Sequence, residues 1–242
     1  KYFFNNLKYN VYLPLLHCHG LTKPKGMEDV NLKKWKANVN FAVERAKSQA
    51  KQVAIGGLST GGTLSFYTAL KNPDITGTLY LFSAALDLAG GFVGELKERL
   101  VRFPGLANII ESFEKDKDLI GLNPYRYDYI DKDGAREMAK LMKETDHLAG
   151  EFNEKNLFSK RVFAAHSESD ETANITGIRD LQKVAAPGRF TFYLIPKARG
   201  VSHASVVLEK PIYATNASKE DEPLEKANPQ FQNMMEAIVA IE

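Results

Sequence analysis

The sequence has 242 residues, 44% of them hydrophobic and 26% charged, an ordinary globular composition that suffices for one α/β domain or two small ones. Its formal net charge is +2 and no dense run of lysine or arginine occurs, which argues against a nucleic-acid partner and an anionic membrane surface. No apolar run approaches the length of a membrane span. The single Cys18 excludes an internal disulfide and suits a reducing compartment, so we expect a cytoplasmic protein.

The first fifty residues predict two helices and a strand. Residues 1–9 look like the second half of an amphipathic helix, so we expect further residues before Lys1. Residues 10–16, N-V-Y-L-P-L-L, predict a strand. Residues 29–50 carry apolar side chains on one broad face among lysines, which predicts an amphipathic helix.

The next stretch, residues 52–62, reads Q-V-A-I-G-G-L-S-T-G-G and contains the motif G-x-S-x-G around Ser59. Residues 53–55 predict a short buried strand, and the residues after Ser59 predict a helix that ends before an Asn-Pro pair. A strand, a tight turn and a helix form the setting in which this motif is a nucleophile elbow. A phosphate-binding turn is the alternative, but no lysine follows the glycines as it does in a P-loop.

The glycines of this motif have a predicted physical role. Gly56 and Gly57 are expected to end the strand, and Ser59 is expected to adopt a strained backbone conformation. A side chain at Gly57 or Gly61 would then collide with the neighbouring strand or helix. The helix N-terminus behind Ser59 would favour negative charge that develops beside its hydroxyl.

A second buried strand is predicted at residues 77–86, and the alternation of strands with helices indicates a mainly parallel sheet with crossover connections. Between residues 89 and 133 this alternation stops. Apolar residues recur there at helical spacing, which fits an inserted helical subdomain and two ordinary core helices equally well. The remaining predicted elements are a helix at 135–152, a strand at 161–166, a helix at 175–184, a strand at 189–195, a surface loop at 209–229 and a helix at 230–241.

Three residues that carry complementary chemistry follow three predicted strands. Ser59, Asp170 and His203 each lie just beyond a strand, at the edge where an open α/β sheet binds its ligands, and they occur in the order Ser, Asp, His. A neutral serine hydroxyl needs a base that accepts its proton during attack. An imidazole can do this, and a carboxylate on its other nitrogen fixes the tautomer and stabilises the imidazolium.

Other candidates for these roles are weaker. Glu168 and Glu171 flank Asp170 and could replace it, or they could be solvated loop charges; Asp74 and Asp87 follow the wrong helix or border the insertion. His147 lies in a predicted helix, and His166 is predicted within a strand. His17 and His19 alternate as metal ligands can, but no third ligand cluster accompanies them. We therefore predict no metal and no cofactor.

The motifs resemble those of the α/β-hydrolase superfamily, in particular its carboxylesterase and monoacylglycerol-lipase-like branch. The matching segments are Tyr12-Leu13-Pro14 with His19-Gly20, Gly57-Leu58-Ser59-Thr60-Gly61-Gly62, Ser169-Asp170-Glu171-Thr172 and Ser202-His203. The resemblance implies an α/β-hydrolase fold with Ser59 as nucleophile, His203 as base, Asp170 as the residue that orients the base, and the Thr60 backbone N–H as an oxyanion donor. It also implies a hydrolase core at residues 1–87 and 134–242, with 88–133 as a cap over an acyl site.

The sequence departs from this family in two ways. Cys18 stands where the family usually has glycine before His-Gly. Only five of the usual eight strands are predicted, and the missing ones include a strand that lies between residues 10–16 and 53–55 in the family's sheet. The resemblance therefore implies a segment upstream of Lys1 that supplies this strand and the second oxyanion donor.

The family resemblance predicts a serine hydrolase that cleaves a small-molecule carboxylic ester, either a short- or medium-chain acyl ester or a monoacylglycerol. The alternatives are a thioesterase or serine aminopeptidase with the same triad, or a catalytically silent fold used for binding. The oligomeric state stays open. Residues that could line an acyl pocket, or pack within the cap instead, are Leu96, Leu100, Phe103, Ile109, Phe113, Tyr125, Tyr127 and Tyr129.

Overall fold

In the described part of the chain, the core is a four-stranded parallel sheet with helices on both faces. A computed structural model describes residues 1–21, 27–86, 123–125, 127, 131–215, 217–218 and 221–242. The strands are β1 (Ile55–Leu58), β2 (Leu79–Phe82), β3 (Val162–Ser167) and β4 (Phe190–Ile195). They lie side by side in chain order, and each pair is parallel. The predicted α/β class with a mainly parallel sheet is confirmed.

Six α-helices accompany the sheet in the described ranges: α1 (Tyr2–Asn5), α2 (Leu32–Lys47), α3 (Thr60–Lys71), α4 (Lys132–Ala149), α5 (Thr176–Val184) and α6 (Phe231–Val239). Polar side chains cap two of them. The Asn31 side chain accepts a hydrogen bond from the Lys34 N–H at the start of α2, and the Asp131 side chain accepts one from Asp133 N–H at the start of α4. Such caps satisfy backbone donors that have no acceptor within the helix.

Alternate residues of the two central strands pack into two separate hydrophobic cores. On one face, Leu79, Leu81, Val162 and Ala164 belong to a cluster that also contains apolar residues of α2, α3, α4 and α5. On the other face, Tyr80, Phe82, Phe163 and Ala165 pack with residues of α1 and α6. Because side chains alternate along a strand, two covered faces require strands that are apolar at every position. All four residues of β2 are buried, as this arrangement demands.

Two predicted strands are corrected by the structure. Residues 10–16 form no strand, and Leu13 is 87% exposed, because no segment in the described part of the chain pairs with them. The first strand lies at Ile55–Leu58 instead of residues 53–55, so Gly56 and Gly57 lie within it and do not end it. A Cβ on Gly56 would come within 2.7 Å of the Tyr80 Cβ, so glycine permits the close approach of β1 to β2.

The inserted segment predicted at 88–133 lies mostly outside the described residues. Leu96, Leu100, Phe103, Ile109, Phe113 and Tyr129 are all outside them. Of the pocket candidates, the structure describes Tyr125, which is 78% exposed, and Tyr127, whose hydroxyl donates to Cys18 O and accepts from Leu21 N–H. None of the helices in the described ranges has the length and hydropathy of a membrane span.

Candidate active site

Ser59 occupies a strained turn between β1 and α3. Its φ and ψ angles are 54° and −124°, a combination that L-residues rarely adopt outside functional sites. Two backbone hydrogen bonds hold the turn: the Ser59 N–H donates to Phe82 O at 3.0 Å, and the Ser59 carbonyl accepts from the Thr63 N–H at 3.1 Å. The serine therefore stands at the N-terminus of α3, where the helix dipole favours negative charge.

The glycines around Ser59 differ in what surrounds them. A Cβ on Gly57 would lie 2.3 Å from the Gly61 carbonyl carbon, and one on Gly62 would lie 2.6 Å from the Ala84 Cβ. A Cβ on Gly61 would meet no described atom within 4 Å. The turn therefore needs glycine at positions 57 and 62. The expectation of a collision at Gly61 is wrong, because this residue faces away from the packed side of the turn.

Asp170 lies in the loop that follows β3, and its side chain is fully buried. Its Oδ2 accepts a hydrogen bond from His203 Nδ1 at 2.7 Å, while Oδ1 accepts from the N–H groups of Thr172 and Ala173, each at 2.9 Å. Burial alone would raise the pKa of Asp170. The hydrogen bond and charge of His203, with the Ala173 N–H, outweigh burial and hold the pKa below its ordinary value.

His203 follows β4, and its side chain is 16% exposed, so it can be reached from solvent while bonded to a buried carboxylate. Because Nδ1 donates to Asp170, the neutral imidazole carries its free lone pair on Nε2, where a base needs it. The chain directly after His203 forms a largely buried 3₁₀ helix, Ala204–Val207. The Asn228 side chain donates a hydrogen bond to Val206 O in this helix at 2.8 Å.

The parallel sheet places Ser59, Asp170 and His203 at the carboxyl ends of β1, β3 and β4, which form one edge. Asp170 and His203 are in direct contact there. Within the described ranges, no hydrogen bond joins the Ser59 hydroxyl to His203. Catalytic hydrogen bonds are often long before substrate binds, so this separation is compatible with a triad.

The backbone N–H of Thr60 lies beside the serine. Thr60 is the first residue of α3, and the first N–H groups of a helix have no acceptor within it. An N–H group at this position can donate to an oxyanion that forms next to Ser59.

The rival acidic residues have other contacts. Glu168 Oε2 accepts from the Lys197 N–H at 2.9 Å and so connects two loops, and Asp74 pairs with Lys47. Asp87 lies outside the described residues, and Glu171 is exposed. Of the described residues Glu168, Asp74 and Glu171, none approaches an imidazole as Asp170 does.

The remaining histidines also have other surroundings. His147 lies near the end of α4, and His17 contacts the thiol of Cys18 and the ammonium of Lys34. No group of three or more His, Cys, Asp or Glu side chains suited to a metal ion occurs in the parts of the chain that the structure describes. His166 is different: it lies in β3 as predicted, and it also approaches Asp170 Oδ2 at 3.5 Å.

A cavity of about 700 Å³ lies elsewhere in the molecule. Its lining includes Val53, Gly77, Arg161 and Arg189, residues that precede the four strands. It therefore opens at the amino-terminal edge of the sheet, opposite the edge that carries Ser59, Asp170 and His203. The candidate active site does not include it.

The chain is similar in sequence to a known lipase over part of its length. A thermostable monoacylglycerol lipase of Bacillus sp. (strain H-257) is 37% identical over 89 residues, which is 36% of this chain and 35% of the lipase. The similarity thus spans about a third of that enzyme's length. No family model matches the chain.

Solved structures match over far more of the chain. The structure of a metagenome-derived lipolytic enzyme, from a study of LipS and LipT, matches with a TM-score of 0.53 and 12% identity. The match covers 87% of this chain and 72% of that enzyme's chain. The monoacylglycerol lipase of Paleococcus ferrophilus covers 87% of this chain and 74% of its own, with a TM-score of 0.53 and 16% identity. A soluble variant of Saccharomyces cerevisiae monoglyceride lipase gives a TM-score of 0.50 at 13% identity, over 87% of this chain and 68% of its own. These likenesses concern the fold.

Proposed function

We propose that this chain, which has the α/β-hydrolase fold, is a serine hydrolase that cleaves carboxylic esters through an acyl-enzyme on Ser59. The observation that carries the proposal is the 2.7 Å hydrogen bond between His203 and the buried Asp170, at the same sheet edge as a serine held at φ 54°. Strain at the serine and a desolvated carboxylate both cost stability, and their combination is explained by catalysis.

The residues would act in sequence. His203 Nε2 takes the proton of the Ser59 hydroxyl as Ser59 Oγ attacks the acyl carbon, and Asp170 stabilises the imidazolium that forms. The Thr60 N–H donates to the oxyanion of the tetrahedral intermediate. The imidazolium then protonates the leaving alcohol, and a water molecule repeats the sequence on the acyl-enzyme to release the acid and free Ser59.

An ester is the substrate class best supported. A protein similar in sequence is a monoacylglycerol lipase, and two proteins of similar structure are monoacylglycerol or monoglyceride lipases. We therefore propose a short- or medium-chain acyl ester or a monoacylglycerol as substrate, with residues 88–133 as a cap above the acyl chain.

Hydrolysis of p-nitrophenyl esters of increasing acyl length tests the proposal, with Ser59→Ala as the inactive variant and Ser48→Ala as the matched control. Ser48 is exposed at the end of α2, and among the described residues its hydroxyl donates to Arg45 O alone. Wild type and the Ser48 variant should hydrolyse the esters and take up a fluorophosphonate label on one serine. The Ser59 variant should do neither. A folded wild type that remains unlabelled and inactive would indicate a silent fold, and undiminished activity of Ser59→Ala would indicate another nucleophile.

A further inference from the structure

His166 is a buried titratable residue that the proposed reaction does not use. It is the fifth residue of β3, follows the apolar residues 162–165, and is 0% exposed. Its Nε2 lies 3.0 Å from Ala173 O and 3.5 Å from Asp170 Oδ2. Its Nδ1 is buried and has no hydrogen-bond partner among the described residues.

These contacts define the state of the imidazole. A carbonyl oxygen only accepts hydrogen bonds, so the proton of the neutral ring must be on Nε2. Burial lowers the pKa of His166, although the Asp170 carboxylate and the Ala173 carbonyl act in the opposite direction. The titratable groups that face this ring are Asp170 and His203. The ring is therefore a neutral donor whose Nε2–H bonds the Ala173 carbonyl and lies close to Asp170.

Ala173 connects this donor to the candidate acid. Its carbonyl accepts from His166, and its own N–H donates to Asp170 Oδ1 at 2.9 Å. The peptide groups on either side of Ala173 thus bond the histidine and the carboxylate, and the loop from β3 to Ala173 is closed around Asp170. A movement of Ala173 would alter the orientation of the carboxylate that holds His203.

We propose that His166 is a positioning residue: its Nε2–H holds Ala173 and, through it, the Asp170 carboxylate in the orientation that bonds His203. This inference rests on the proposed function, because it assigns the histidine a role in that site.

The alternative is a histidine that serves only to fill the core. The unpartnered Nδ1 argues against it, since a leucine would fill similar volume in β3 without burying a polar atom. A histidine here therefore costs stability that its Nε2 donor must offset.

Two amide variants distinguish a positioning role of His166 from a role in filling the core. In His166→Gln, the side-chain NH₂ can reach about the position of the imidazole Nε2, whereas in His166→Asn it can reach only that of Nδ1. Both variants are neutral and polar, and urea denaturation identifies the fraction folded. The measurements are kcat and KM on the best p-nitrophenyl ester, and the low-field proton NMR signal of His203 Nδ1–H, which requires no activity.

The Asn variant should lower kcat about 10- to 100-fold, as expected when a reacting group is misplaced by a fraction of an ångström to 1 Å, and should leave KM nearly unchanged. Its low-field signal should broaden or disappear, and the Gln variant should restore both kcat and the signal. Wild-type kcat and an intact signal in folded His166→Asn would overturn the proposal. So would a loss of kcat with the signal retained. If the wild type hydrolyses no ester, the proposed function fails separately, and the NMR signal alone decides: its survival in the Asn variant refutes the positioning role.

Discussion

Alanine substitutions of Gly57 and Gly61 should have opposite effects on stability, although the residues are equivalent in the G-x-S-x-G motif. In Gly57→Ala the new Cβ would lie 2.3 Å and 2.4 Å from the Gly61 carbonyl carbon and oxygen, about 1 Å inside ordinary van der Waals contact. These atoms are backbone within the first turn of α3, so they cannot rotate away. In Gly61→Ala no described atom lies within 4 Å of the added carbon.

The magnitudes follow from known costs. Overpacking against rigid atoms costs about 1–3 kcal/mol and occasionally more, and contact with backbone puts Gly57→Ala at the upper end, about 3 kcal/mol. Gly61 lies in the first turn of a helix, where replacing glycine by alanine gains about 0.5–1 kcal/mol through helix propensity and reduced unfolded-state entropy. The two variants should therefore differ by about 4 kcal/mol in the free energy of unfolding.

Urea denaturation monitored by circular dichroism measures this difference, and the slope of the transition shows whether the two variants unfold in the same way. Ester hydrolysis adds a second readout, because a shift of the elbow by about 1 Å should lower kcat about 100-fold in Gly57→Ala. Equal destabilisation by the two substitutions, or a Gly57→Ala variant as stable as wild type, would refute the structure of the turn.

Three further predictions concern the acid, the buried histidine and the core. Asp170→Asn should lower kcat about 10⁴-fold with little change in KM, because an amide in this position stabilises the wrong tautomer of His203; steady-state kinetics on a folded variant checks this. The pKa of His166 is below its ordinary value of 6.5, so below about pH 6.5 the unfolded chain takes up a proton at this residue that the folded chain does not. As the pH falls, His166 should therefore lower the free energy of unfolding of the wild type by up to about 1.4 kcal/mol per pH unit. His166→Gln should remove that part of the decline in urea titrations between about pH 7 and pH 5.5, and an identical decline in the two proteins would contradict it. Leu81→Ala should cost about 2–5 kcal/mol since Leu81 is 0% exposed, whereas Val239→Ala, at a position 46% exposed, should change stability by less than about 0.5 kcal/mol in the same assay.

The sequence predicts well those features that depend on local chemistry. The helix that begins after Ser59 ends at Lys71, before the Asn-Pro pair, because a residue that precedes proline avoids the helical conformation. The apolar strands predicted at 77–86, 161–166 and 189–195 contain β2, all but the last residue of β3, and β4, since strands covered on two faces are apolar at nearly every position. The contact between Asp170 and His203 follows from strand order, because parallel neighbours end at one edge.

The sequence fails where a feature depends on what lies beside it in space. Residues 10–16 have strand-like composition, but pairing needs a neighbour, and the described residues supply none. Gly61 matches the motif as well as Gly57 does, and only the packing of the turn distinguishes a glycine that is needed from one that is tolerated. His166 shows only as a polar residue at the end of an apolar strand, and its bond to Ala173 depends on how a seven-residue separation closes into a loop.

The burial of Asp170 explains why the loop from the end of β3 to Ala173 must keep a fixed geometry. Burying a carboxylate with no exposed surface costs folding free energy, and burial acts to raise the pKa of Asp170. A raised pKa favours the neutral carboxylic acid, which could not stabilise an imidazolium. The hydrogen bond and charge of His203, with the bond from the Ala173 N–H, reverse that tendency, and they depend on the geometry of this loop. If the loop loosens, water competes for the carboxylate and the His203 bond weakens first, since it joins two separate loops. The His166 Nε2–H, which closes the loop that follows β3, therefore acts on His203 without touching it. For this reason the His166→Asn and His166→Gln variants should differ more in kcat than in their free energy of unfolding.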